Sequence, residues 1–273
     1  DPEPPVAILP PAGFGIFADG TPLDHQSLAA WRELKGRERI RRNSSHLTQQ
    51  VLSWDDVQTS PIQLENPYDY YVVFMHIPKA GGTTLQHIIA KNYLPNFVVH
   101  ANNPQISKNP ACLFHIKRKA IKPVLMGHFD RSHFLYNLLC DRPIIHFTVF
   151  RDPVKRILSH YRYLQGNVVH GKHEQVKAMS LEEYARSSIR EIQNKQTLRL
   201  LGDASQAALR QSLHDPAPLL KEAKRVLAEE FTFFGLTERY SEFLLMGQHL
   251  LKWQDILYQR KNVSHQPISK TIV

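Results

Sequence analysis

Apolar residues in this chain fall into two periods. From position 70 onward, short runs rich in β-branched and aromatic residues alternate with stretches whose apolar positions recur at three- and four-residue steps. Tyr70-Tyr-Val-Val-Phe-Met-His-Ile77 is too short for anything but a buried strand. After a Pro-Lys-Ala-Gly-Gly turn, Leu85, Ile88 and Ile89 stand at helical spacing. Asn96–His100, Val124–Gly127 and Ile144–Phe150 read as further strands. Pro153 to Leu164 repeats the helical period, with Asp152 suited to the N-cap and Pro153 to the first helical position. Leu181–Ile192 with Ser180 as N-cap, and Pro216–Glu230 with Asp215 as N-cap, are predicted helices. Phe231–Thr237 is a last strand, and Phe243, Met246, Leu250, Trp253 and Leu257 mark one apolar helix face belonging to the core. Strands alternating with helices predict a three-layer α/β fold, its central parallel sheet flanked by helices, with a ligand crevice beyond the strand C-termini.

The first 69 residues break this pattern. Five prolines fall in the first eleven positions, so residues 1–22 read as a linker or wrapping arm. Ser27 to Arg42 predicts a basic helix with Leu28, Trp31 and Leu34 on one face and its charges solvated. Residues 43–69 are polar and turn-rich. The expected division is an N-terminal extension over 1–69 and one functional domain over 70–273. An initial Asp predicts a processed or excised chain.

Composition narrows the chemistry. With 273 residues and 42% hydrophobic content, the chain can bury one sizeable core. It carries no apolar run of the roughly 18 residues that span a bilayer. Cys112 and Cys140 are its only cysteines and form no C-x-x-C pair, so neither a zinc site nor a disulfide framework is indicated. A formal net charge of +9 attracts anions. There is no Lys/Arg-rich run with interleaved aromatics and no nucleic-acid module signature, so nucleic acid is not the expected partner. An acidic polysaccharide or a phosphorylated cofactor fits better.

The turn after the first strand is the chemical focus. Gly81 and Gly82 let backbone approach a ligand, and the N–H groups of a helix start point at an anion there. Lys79 adds charge, and Thr83 and Thr84 add hydroxyls. The lysine precedes the glycines, so the Walker A order is not met. Two more candidates follow strand ends: His128 after Val124–Gly127, and Arg151 after Ile144–Phe150. In a parallel sheet all three converge on one crevice.

Pro78-Lys-Ala-Gly-Gly-Thr-Thr84, and then Arg151-Asp-Pro-Val-Lys-Arg-Ile-Leu-Ser159 about seventy residues on, resemble the sulfotransferases that use 3′-phosphoadenosine 5′-phosphosulfate (PAPS). The likeness is nearest to the Golgi glycan branch, in particular the heparan sulfate 2-O-sulfotransferases, with a cofactor loop similar to that of the 6-O enzymes. Gly127-His128-Phe resembles the motif that presents the catalytic histidine, and Phe233-Phe-Gly-Leu-Thr-Glu238 a late strand of that family. The resemblance implies a P-loop-like fold, with Lys79, Ala80, Gly81, Gly82, Thr83 and Thr84 around the 5′-phosphosulfate and Arg151 and Ser159 on the 3′-phosphate. It implies Lys261 and Ser264 closing over the nucleotide, and no metal. His128 and Lys79 are then the catalytic pair: a histidine near neutrality takes the acceptor hydroxyl's proton, and the lysine neutralises the leaving oxygen. Arg131, His133, Arg162 and Lys172 are candidates for recognising the acceptor, a glycan or a small hydroxylated molecule. His76 reads as a packing residue beside the sheet. The family pattern continues with a helix after the tail loop, so the end at Val273 predicts a trimmed or divergent C-terminus. The rivals are a P-loop kinase, which requires Walker A order and a magnesium carboxylate, and a non-catalytic polyanion-binding module with no use for His128.

Overall fold

The computed structural model describes residues 70–101, 113–115, 120–133, 135–136, 139, 144–202 and 215–258. The extension over 1–69, both cysteines, Lys261 and Ser264 lie outside the described residues.

Five parallel strands form the central sheet: β1 (Tyr71–Met75), β2 (Val98–His100), β5 (Val124–Gly127), β6 (Ile144–Phe150) and β7 (Phe233–Leu236), in the spatial order β2-β5-β1-β6-β7. A two-residue antiparallel pair, β3 (Phe114–His115) with β4 (Ala120–Ile121), stands apart. All five residues of β1 are buried, as a central strand covered on both faces requires. Its alternation sorts the two faces. Val72 and Phe74 join Leu85, Ile88 and Ile89 of α1 (Gly82–Asn92) and Phe243, Leu244 and Leu250 of a C-terminal helix, Tyr240–Leu251. Tyr71, Val73 and Met75 join the opposite core, with Leu219, Ala223 and Val226 of another helix, Ala217–Glu230. The result is the expected three layers.

Aromatic residues align across the sheet. Phe74 pairs in register with Phe147, and Phe147 with Phe233, with stacked ring centres 5.5 and 4.9 Å apart. Such cross-strand pairs hold register as well as burying area.

Among the described residues, further helices follow β6 along the chain. They are α2 (Pro153–Gly166), α3 (His173–Val176), α4 (Leu181–Arg186) and α5 (Lys195–Leu201), followed by α6 (Ala217–Glu230) and α7 (Tyr240–Leu251). Leu164, Val176, Tyr184 and Ile189 form their own small core. Ser180 caps α4 with a full capping box, but the helix ends at Arg186 rather than at Ile192. The Ser187 hydroxyl donates to the Tyr184 carbonyl (2.8 Å) and turns the chain. Asp215 acts one residue from the expected place: its carboxylate accepts the Ala217 N–H (3.0 Å), and α6 begins at Ala217. Strand β2 starts at Val98 because Pro95–Phe97 is a 3-10 turn. Likewise α7 stops at Leu251, where Lys252 takes a left-handed conformation. Trp253 stays buried, but Leu257 is 78% exposed, so the predicted stripe overran the helix.

Candidate active site

The loop after β1 is shaped by backbone conformation. Lys79 (φ 68°) and Gly81 (φ 80°) both lie in the left-handed region, which glycine accepts freely and lysine does not. Helix α1 then starts at Gly82 with no side-chain cap. The N–H groups of its first turn have no intrahelical acceptor, so the helix start is open to an anion. Thr83 is exposed and Thr84 half-buried beside it. Gly82 has a different reason for lacking a side chain: a Cβ there would fall 2.0 Å from Cδ2 of His76.

This cradle is tied down from the far end of the sheet. The Thr237 hydroxyl lies 3.0 Å from the Ala80 carbonyl and 2.9 Å from that of Phe150, sharing its proton between the loops after β1 and β6. The Tyr240 hydroxyl donates to the Gly81 carbonyl (3.0 Å).

Arg151 leaves the end of β6 toward the same loop. Its Nη1 donates to the Lys79 carbonyl (3.1 Å). Gln196 of α5 clamps its backbone, accepting the Arg151 N–H (2.9 Å) and donating to its carbonyl (2.8 Å). The Arg151 Nε is buried without a hydrogen-bond partner. Asp152 does not neutralise this arginine; it caps α2 by accepting the Lys155 N–H (2.8 Å). One turn on, Arg156 is buried, with Nη2 on the Glu191 carbonyl (2.7 Å) and with Nε and Nη1 lacking partners. Ser159 is half-buried a turn further along α2. Unsatisfied buried guanidinium nitrogens are costly, and a bound anion would satisfy them.

The Lys79 ammonium lies 4.0 Å from the centre of the Tyr163 ring. Burial, and then the neighbouring Arg151, lower its pKa from 10.5. That stacking is a cation–π contact, and Tyr163 is itself flanked by His160 and His170.

His128 follows β5, just past Gly127 at φ 155°. Its Nδ1 lies 3.1 Å from the His76 carbonyl, which can only accept, so Nδ1 is the donor in this contact. The ring keeps an open side to solvent, yet surrounding protein lowers its pKa from 6.5. Arg199 and Lys79 act in the same direction, and the bond to His76 opposes them.

Strand order brings the three predicted elements together, because β5, β1 and β6 are neighbours and carry His128, the cradle and Arg151 respectively. The four acceptor candidates fare differently. Arg131 is 3% exposed and forms a two-pronged ion pair with Glu230 inside the core, so it is structural, not a surface cation. Lys172 is held by Glu191 (2.6 Å). His133 accepts the Leu135 N–H at Nδ1 (3.3 Å) and packs on Phe129. Arg162 is half-buried on α2. Residues that the sequence reading did not single out for the site are Tyr163, Gln196, Thr237 and Tyr240, while His76 lies against His128 itself. Thr237 belongs to a motif already quoted; the others carry no periodic or spacing signal. Among the described residues, no cluster of three His, Cys, Asp or Glu side chains is placed to hold a metal.

An open helix start and an adjacent arginine at neighbouring ends of a parallel sheet define an anion-binding α/β protein. The family is given by comparison: the model of the sulfotransferase family matches residues 68–268, and the chain belongs to that family. It is therefore an enzyme of sulfuryl transfer. Curated protein sequences give no match. Among solved structures, the chain is similar to the crystal structure of mouse sulfotransferase SULT7A1 complexed with PAP. Identity is 11%, over 94% of this chain and 78% of that one, with a TM-score of 0.29.

Proposed function

We propose that residues 70–273 form the catalytic domain, with 1–69 an extension, and that it moves the sulfuryl group of PAPS to a hydroxyl of a glycan. One observation carries the reading: three strand ends, side by side, present an open helix N-terminus with Lys79, an arginine with a buried nitrogen that has no hydrogen-bond partner, and a histidine oriented through Nδ1 by the His76 carbonyl. PAPS supplies an activated sulfuryl group and two phosphates. The residues fit it: the α1 start, with Thr83 and Thr84, suits the 5′-phosphate, and Arg151 with Ser159 suits the 3′-phosphate. Arg156, within the same motif, offers two further nitrogens. Lys79 neutralises the oxygen that keeps the electron pair when the old S–O bond breaks, and His128 Nε2 takes the proton from the hydroxyl whose oxygen forms the new one. Alignment and charge neutralisation are the main needs of such an in-line transfer. An acidic glycan suits the net charge of +9, and a small hydroxylated molecule or a lipid hydroxyl is the alternative acceptor within the same chemistry.

Calorimetric titration tests the donor, using 3′-phosphoadenosine 5′-phosphate (PAP) beside magnesium-ATP. Micromolar binding of PAP, weakened by about 1–3 kcal/mol in Arg151→Ala, is expected. No binding, or preference for magnesium-ATP, would promote the kinase. Transfer of radiolabelled sulfate from PAPS to desulfated heparan, chondroitin and a simple phenol then separates glycan from small-molecule acceptors.

A further inference from the structure

His76 is a costly residue where it stands. It is 4% exposed, and its Nδ1 is buried with no hydrogen-bond partner. An apolar ring in the same space would avoid that desolvation cost, so the imidazole calls for an explanation beyond packing.

Its contacts supply one. The His76 N–H donates to the Gly127 carbonyl (2.8 Å), and its own carbonyl accepts from His128 Nδ1 (3.1 Å), so its backbone aligns the residue before His128 and then His128 itself. Its ring lies against the His128 ring, centres 3.9 Å apart and inclined by 33°, and also stacks with Phe74 at 5.5 Å. A third side of the ring occupies the space where a Gly82 Cβ would be, beneath the first residue of α1.

Resting on the reading of His128 as the base, we propose that His76 is its positioning residue, a ring platform that also packs the base and the donor cradle into one unit. Burial, His128, Arg199 of α5 and Lys79 of the cradle all hold His76 neutral. A neutral ring stacked on His128 offers its electron-rich face to the imidazolium that forms as the acceptor proton arrives. Gly82 is thus complementary to His76, since a Cβ on Gly82 would fall inside the space of the ring.

The test uses the full chain with His76→Leu, His76→Phe and His128→Ala. Readouts are PAP affinity, PAPS turnover with the best glycan acceptor or with water, and nitrogen-15 NMR of the His128 imidazole. His76→Leu is expected to lower kcat by about tenfold or more through misplacement of the base, with PAP affinity and acceptor KM within about threefold of wild type. Its His128 signal should change from a single Nδ1–H tautomer to a mixture. His76→Phe restores the ring face and should recover part of kcat. Wild-type kcat and an unchanged His128 spectrum in His76→Leu would overturn the proposal. So would a parallel loss of PAP affinity, kcat and thermal stability without recovery in His76→Phe, which marks a purely structural role. If His128→Ala turns over PAPS like wild type, the reading of the base fails instead, whatever His76 does.

Discussion

Two strand–loop–helix turns lie side by side in this molecule and solve the same problem in opposite ways. After β1, left-handed Lys79 and Gly81 lead into α1 with no side-chain cap, so the first N–H groups of the helix stay open. After β6, Asp152 caps α2 and Pro153 fills its first position, so that helix start is closed and Arg151 carries the charge. On the proposed reading, one turn binds with backbone and the other with a side chain. Capping decides which, because the same N–H groups cannot serve both an aspartate and a ligand.

The largest expected effect comes from removing the side chain of the open turn. Lys79→Ala should lower kcat by about 10²–10³, the scale of losing one group aimed at developing charge, measured as PAPS turnover at saturation. A smaller loss would mean that helix N–H groups and Arg151 suffice for the leaving oxygen. Next is pH. In the proposed mechanism His128 acts unprotonated, and its pKa is lowered, so kcat/KM should fall only below pH 6.5, about tenfold per pH unit beneath that pKa. Lys79 acts protonated in that mechanism and its pKa is also lowered, so the alkaline limb should begin below pH 10.5. Loss of the acid limb in His128→Ala would tie it to this residue.

Smaller still, Gly81→Ala places a Cβ at φ 80° and 3.1 Å from the Tyr240 ring. It should destabilise the fold by about 1–2 kcal/mol and weaken PAP binding, by thermal melts and calorimetry. Asp152→Ala should cost about 1 kcal/mol of stability with PAP affinity nearly unchanged. If Asp152→Ala weakened PAP as much as Gly81→Ala does, the distinction between an open and a closed helix start would collapse.

Much of this site is legible in the chain. Tyr71–Met75 and Ile144–Phe150 announce themselves by β-branched and aromatic residues, and Asp152-Pro153 caps and starts α2 as its local chemistry demands. The loop residues Lys79 to Thr84 follow from a glycine pair at a strand end. Nothing near Arg131 in the chain shows that it is buried; its partner Glu230, 99 residues away, makes it a core ion pair. The helix predicted to reach Ile192 ended early because a serine hydroxyl competed for a carbonyl, a choice that periodicity does not register.

What the sequence by itself determined are the features governed by neighbours along the chain: strand and helix identity, the uncapped start of α1, the capped start of α2, and the residues carried at each strand end. The tertiary structure alone decided which ends meet. The order β5-β1-β6 sets His128, the cradle and Arg151 abreast, Thr237 joins two loops from a third strand's end, and His76 lies beneath both His128 and Gly82. The His76–His128 and Ala80–Thr237 contacts join residues 52 and 157 positions apart. No local propensity encodes them, because the order of strands in a sheet is settled by which faces can be buried together.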